Sequence, residues 1–176
     1  ITNNDKAAST YIASVDSPSI TETDFGTKTL AFTITLDQEA TETTTINYQT
    51  LTSGSATTGE DFVTAAGVVT FVKGQKVATL NISVNGDAEV EDDETIQVKL
   101  SGAALSSEVI ATGTIKNNDI AGTDSDDTLN GTTDNDNLTG GGGSDVIDGG
   151  AGNDTVTYTG KFNDYTITKT TTTIQI

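Results

Sequence analysis

Apolar residues recur at every second position through the first two thirds of the chain. Leu30, Phe32, Ile34 and Leu36 alternate with Ala31, Thr33 and Thr35. Ile46 and Tyr48, Val69 and Phe71, then Leu80, Ile82 and Val84, and Ile96, Val98 and Leu100 repeat the pattern. A strand turns successive side chains to opposite faces, so this period of two predicts strands with one buried face. An opening strand around Tyr11–Val15 and a closing one around Val109–Ile115 bring the expected number to seven. No segment carries a helical period. Short, evenly spaced strands rich in Thr and Val predict an all-β fold, here a seven-stranded antiparallel sandwich with Greek-key connections.

The pattern changes near residue 120. Gly stands at 122, 131, 140 and 149, Asp at 127, 136, 145 and 154, and an aliphatic residue at 129, 138, 147 and 156. This strict period of nine resembles the RTX (haemolysin-type) calcium-binding nonapeptide, G-G-x-G-x-D-x-U-x. The third and fourth units, from Gly140 and from Gly149, fit it most fully. In the first two, Thr123, Ser125, Thr132 and Asp134 stand where Gly is expected, so strained turns are expected there. The resemblance implies a short parallel β-roll in which each unit is half a coil. Units one and three then stack on one side, and two and four on the other. Asp127 would share an ion with Asp145, and Asp136 with Asp154, with further oxygens from Gly140, Gly142, Gly149 and Asn153. Glycine is suited to such turns because it accepts left-handed backbone and lets carbonyls face an ion.

Beyond the repeats, Tyr158, Phe162, Tyr165, Ile167, Ile174 and Ile176 predict strands that cap the roll. At the other end, Ile1–Asp5 recurs as Ile115–Asp119, which reads as the end of a preceding copy or a linker. The expected organisation is therefore 1–6 as that remnant, 7–119 as the sandwich, 120–157 as the β-roll and 158–176 as capping strands.

Charge narrows the chemistry. The chain has 176 residues, no Cys or His, no Arg, and a formal charge of −18. Zinc or copper sites on soft ligands and His-activated nucleophiles are excluded. Such acidity repels a phosphate backbone, so nucleic acid is not an expected partner. The longest apolar runs are far short of a membrane span. Residues 122–154 hold eight acids and no Lys, too much like charge for compaction without cations.

The acids of the sandwich are placed by parity. Successive antiparallel strands put their connections alternately at two poles, so the first, third and fifth connections share a pole with the exit of the last strand. Those segments carry Glu22 and Asp24, Glu60 and Asp61, the run Asp87–Glu94, and Asp119. Carboxylates so gathered repel one another unless a cation sits among them, and hard oxygen donors select Ca²⁺. The stretches Gly54–Phe62, Gly67–Phe71, the acidic run ending at Glu94 and Ala111–Ile115 together resemble a Calx-beta domain over roughly 8–119. The resemblance implies Glu22, Asp61, Asp87, Glu91, Glu94 and Asp119 as calcium ligands. Asn117 and Asn118 depart from it, standing where calcium-binding members carry Asp, which should weaken binding.

Calx-beta domains followed by RTX repeats resemble parts of large extracellular adhesins. This implies a calcium-stabilised structural module of a secreted or cell-surface bacterial protein, with calcium ions and neighbouring domains or subunits as partners. Two alternatives are a self-assembling subunit of an extracellular fibre or surface layer, and an accessory module of a secreted hydrolase. Enzymatic activity is not expected, because the nine aromatic residues lie in strand patterns rather than around a pocket.

Overall fold

The computed structural model describes residues 10–159. The expected remnant at 1–6 and the expected capping strands from residue 160 onward lie outside them. Eight strands build the sandwich: β1 (Ala13–Val15), β2 (Ser19–Thr21), β3 (Thr27–Leu36), β4 (Thr44–Leu51), β5 (Ala66–Phe71), β6 (Val77–Asn85), β7 (Glu94–Ser101) and β8 (Val109–Lys116). They form two sheets, ordered β1-β3-β6 and β2-β8-β7-β4-β5. The chain crosses between the sheets after β1, β2, β3, β5 and β6.

Alternation decides which residues meet between the sheets. Leu30, Phe32, Ile34 and Leu36 of β3 face inward with Leu80, Ile82 and Val84 of β6. Ile46, Phe71, Ile96, Val98, Leu100 and Ile115 meet them from the other sheet. Burying side chains of this size stabilises by about 1.5–3 kcal/mol each, so the sandwich core is ample without any ion. Gly113 of β8 lies against this layer: a Cβ there would come 2.7 Å from Leu30 Cδ2 and 2.8 Å from Phe32 Cζ.

The opening strand differs from expectation. It breaks at Pro18 and changes sheet. Its first half, β1, pairs antiparallel with β3, and its second, β2, pairs in parallel with β8. Proline has no N–H for a ladder, and the break is filled locally. Asp16 Oδ1 accepts the Thr33 N–H at 2.8 Å, and the Pro18 carbonyl accepts the Thr114 N–H at 2.9 Å.

The chain then enters a small roll through β9 (Ile120–Ala121), followed by β10 (Thr128–Asn130), β11 (Asn137–Thr139), β12 (Val146–Asp148) and β13 (Thr155–Thr157). Two parallel sheets result, β10-β12 and β13-β11-β9. Leu129 pairs with Ile147 and Leu138 with Val156, so units one and three stack, as do two and four. Leu138 and Leu129 are buried between the sheets. No helix among the described residues is long and apolar enough to cross a membrane.

Candidate metal centres

The strand directions deliver the acids to one pole, as parity requires. The loops after β2, β4 and β6 and the exit of β8 converge there and are stitched together by backbone. The Asn85 N–H donates to the Asp61 carbonyl at 2.8 Å, and the Gly86 N–H to the Gly26 carbonyl at 3.1 Å. Asn117 Nδ2 donates to the Glu91 carbonyl at 2.7 Å. Carboxylate oxygens of Asp61, Asp87 and Glu91 lie within 4.8 Å of one another. Glu22 is 2 % exposed, Asp61 3 % and Asp119 4 %. Buried carboxylates without cationic partners are costly, so this donor set fits a hard cation coordinated by oxygen.

Electrostatics tell the same story. Burial, and then the charges of Asp87, Glu91, Asp119 and Asp61, push the Glu22 carboxyl up to about 8. Burial and a hydrogen bond shared with Asp61 push Glu94 up to about 7. Burial also raises Glu91 and Asp119, though the Asn137 amide partly opposes the latter. The charge of Asp87 is among the causes that raise each of Glu22, Glu91, Glu94 and Asp119. Glu60 is exposed, and Asp24 is half-buried at the edge facing the roll.

These raised values have a measurable consequence. An acid that titrates higher in the folded than in the unfolded chain stabilises the fold while both forms are protonated. That contribution is lost as pH rises from the ordinary glutamate range through about 7 and 8. Calcium holds the same groups ionised, so its binding must release protons. At pH 6 the expected release is about one to two protons from Glu22 and Glu94. Calorimetry in buffers of different ionisation enthalpy reads this number. Release close to zero, with calcium bound, would contradict the pole assignment.

In the roll, the four repeat aspartates stack in pairs. The Asp127 N–H donates to Asp145 Oδ1 at 3.1 Å, and the Asp136 N–H to Asp154 Oδ1 at 3.2 Å. Asp136 is wholly buried. The Asn153 N–H reaches Asn135 Oδ1 at 2.9 Å, which sets the fourth turn on the second. A Cβ on Gly122 would collide with the Gly140 carbonyl oxygen, and one on Gly131 with that of Gly149. Those carbonyls face the preceding coil beside Asp127 and Asp136.

Two details differ from the sequence reading. Within the roll the left-handed glycines are Gly141, Gly143, Gly150 and Gly152, whereas Gly140, Gly142 and Gly149 serve close approach instead. No non-glycine among the described residues has positive φ, so the first two turns are not strained as expected. Threonine replaces the glycine turn. Thr123 donates its N–H and its hydroxyl to Asp127 Oδ2 at 2.7 and 2.9 Å, and Thr132 donates its N–H to Asp136 Oδ2 at 2.8 Å and its hydroxyl to Asp136 Oδ1 at 3.0 Å.

Asp24 and Asn118, read from the sequence only as pole residues, join the two parts of the chain together with Asn135, which the sequence did not single out. Asn118 Nδ2 donates to Asp24 Oδ1 at 2.9 Å and to the Asn135 carbonyl at 2.6 Å. Lys28 Nζ pairs with Asp134 Oδ2 at 3.3 Å. A groove on the sandwich, lined in part by Tyr48, Val69, Gln75 and Thr79, contains no carboxylate.

Comparison with known proteins agrees with this arrangement. The Calx-beta domain family matches residues 7–121, and the RTX calcium-binding nonapeptide repeat matches residues 113–156 in four copies. Among solved structures, CBD12 from CALX1.2 is 21% identical, covering 64% of this chain and 50% of its own, with a TM-score of 0.50. The match thus spans half the length of that protein, and at such identity it bears on the fold alone. Calcium binding domain CBD12 of CALX1.1 is 24% identical over 57% of this chain and 42% of its own, with a TM-score of 0.48. The apo-form Calx CBD1 domain is 23% identical over 61% and 97%, with a TM-score of 0.48. The chain belongs to the Calx-beta domain family, and its Calx-beta sandwich leads into RTX repeats as one calcium-binding module.

Proposed function

We propose that the chain is a structural module of a secreted or cell-surface bacterial protein, an adhesin, folded and stiffened by external calcium. Carboxylates drawn from four separate segments to one pole carry this reading, with the oxygens of Asp61, Asp87 and Glu91 inside 4.8 Å. Such clustering is costly through mutual repulsion unless a cation offsets the charge. Extracellular calcium modules work with dissociation constants of about 10⁻⁴–10⁻³ M, so the roll stays open and the sandwich pole loose where calcium is scarce, and both close outside the cell. In this reading the pole ligands are Glu22, Asp61, Asp87, Glu91, Glu94 and Asp119. The roll ligands are Asp127, Asp136, Asp145 and Asp154 with carbonyls of Gly140, Gly142, Gly149 and Asn153. The sandwich occupies 7–119 and the roll 120–157.

A load-carrying spacer should bind calcium without changing its own mass. Calorimetric titration joined to sedimentation of the chain at 0 and about 2 mM calcium, a concentration above that range of constants, should give saturable binding by a monomer. A calcium-driven rise in mass would instead support the self-assembling subunit. No binding at all would end the calcium reading.

A further inference from the structure

The two family matches overlap on residues 113–121, and the structure gives the overlap a physical meaning. Gly113, Asn118 and Ile120 stand nine residues before Gly122, Asp127 and Leu129. Ile120 pairs with Leu138 in the same parallel sheet in which Leu138 pairs with Val156. The end of the sandwich is therefore also a half-coil of the roll, with Asn118 in the place of the repeat aspartate.

Both residues at this seam face two ways. Asn118 is wholly buried. Its Nδ2 holds Asp24 on the sandwich and the Asn135 carbonyl in the roll, while its Oδ1 is buried without a hydrogen-bond partner. Asp119 accepts the Asn137 N–H on Oδ1 at 3.0 Å, while its Oδ2 is likewise buried and unpartnered. Asp24 and Asp87 bear on Asp119 electrostatically. A bare amide oxygen and a bare carboxylate oxygen, side by side in the chain and shut off from water, lack donors. In surroundings this acidic a cation answers both the missing partner and the excess charge.

We propose that Asn118 and Asp119 are shared ligands that couple the two calcium-binding parts. Their free oxygens hold an ion at the sandwich pole, and this fixes the opposite ends of the same side chains on half-turn 135–137. Ion binding at the pole then favours folding of the roll, and the reverse follows by reciprocity. The inference rests on the calcium reading above and adds a ligand, Asn118, and a linkage to it.

The test uses the full chain. Glycine amide NMR signals of Gly140–Gly152 follow the roll during a calcium titration, while calorimetry follows the pole. Glu91→Gln alters an exposed pole acid whose backbone carbonyl, not its side chain, is bound by Asn117. Asp119→Asn keeps an oxygen for the Asn137 N–H but replaces the bare carboxylate oxygen. Each should weaken the pole and move the roll midpoint to about fivefold higher calcium or more. Asp154→Asn in the roll should weaken the pole in return. Weakened pole binding with an unmoved roll midpoint in both pole variants would overturn the coupling while leaving the calcium reading intact. A wild-type chain that takes up no calcium would sink both.

Discussion

Stripping calcium with EDTA should lower the unfolding temperature of the chain by about 10–20 °C relative to a calcium-saturated sample. The size follows from mass action. An ion that binds only the folded state contributes about 2.7 kcal/mol when free at a hundred times its dissociation constant. The pole ion and even one of the two ions expected in the roll contribute about twice that, and about 1 kcal/mol shifts a chain of this length by about 2–4 °C. The loss should be uneven. The sandwich keeps its apolar core, built on Phe32, Phe71, Ile82 and Ile96, and should still unfold cooperatively. The roll buries only Leu129 and Leu138 fully among its aliphatic residues, with Val156 37% exposed. It should melt first and at far lower temperature. Scanning calorimetry at graded calcium reads both. A single transition whose midpoint ignores calcium would refute the expectation.

Gly143→Ala should abolish the folded roll and spare the sandwich. Gly143 has φ +102, a left-handed conformation that costs a side-chain-bearing residue about 1–2 kcal/mol. A Cβ there would also lie 2.5 Å from the Ser125 carbonyl carbon and 2.7 Å from its oxygen. The obstacle is backbone of the coil beneath, which cannot swing aside as a side chain would. The two coils must part, and the carbonyls and carboxylates between them lose their spacing. Gly74→Ala is the control, since φ is +85, nothing lies within 4 Å, and the turn between β5 and β6 carries none of the pole or roll ligands. It should cost only the backbone strain and leave calcium binding unchanged. Calcium titration of both variants separates the cases. Equal calcium uptake by Gly143→Ala and wild type would show that the stacked turns do not hold the ion.

Much of this arrangement was legible in the sequence because it depends on simple periods. A period of two places Leu30, Phe32, Ile34 and Leu36 on one face, and strand parity then fixes the pole that receives Glu22, Asp61, Asp87 and Asp119. A period of nine fixes the stacking of Asp127 on Asp145 and of Asp136 on Asp154. What escaped is set by contacts distant in the chain. Ser19–Thr21 is too short to show alternation, and β2 exists because Pro18 breaks the strand while β8 offers a free edge. Thr123 and Thr132 look like defects in a glycine motif until each hydroxyl is seen on its own carboxylate. Asn118 looks like a weakened ligand position. Its second task, reaching Asp24 94 residues earlier and Asn135 17 residues later, exists only after folding.

The central claim is that cation binding, rather than apolar burial, makes the coils beyond Ala121 fold. Residue-resolved amide hydrogen exchange over 122–157 in chelated buffer and in calcium tests it most directly. Calcium should protect the amides of Gly122, Gly131, Val146 and Thr155, each of which donates between coils, while chelation returns them to the exchange rate of an open chain. Protection that survives thorough chelation would contradict the account.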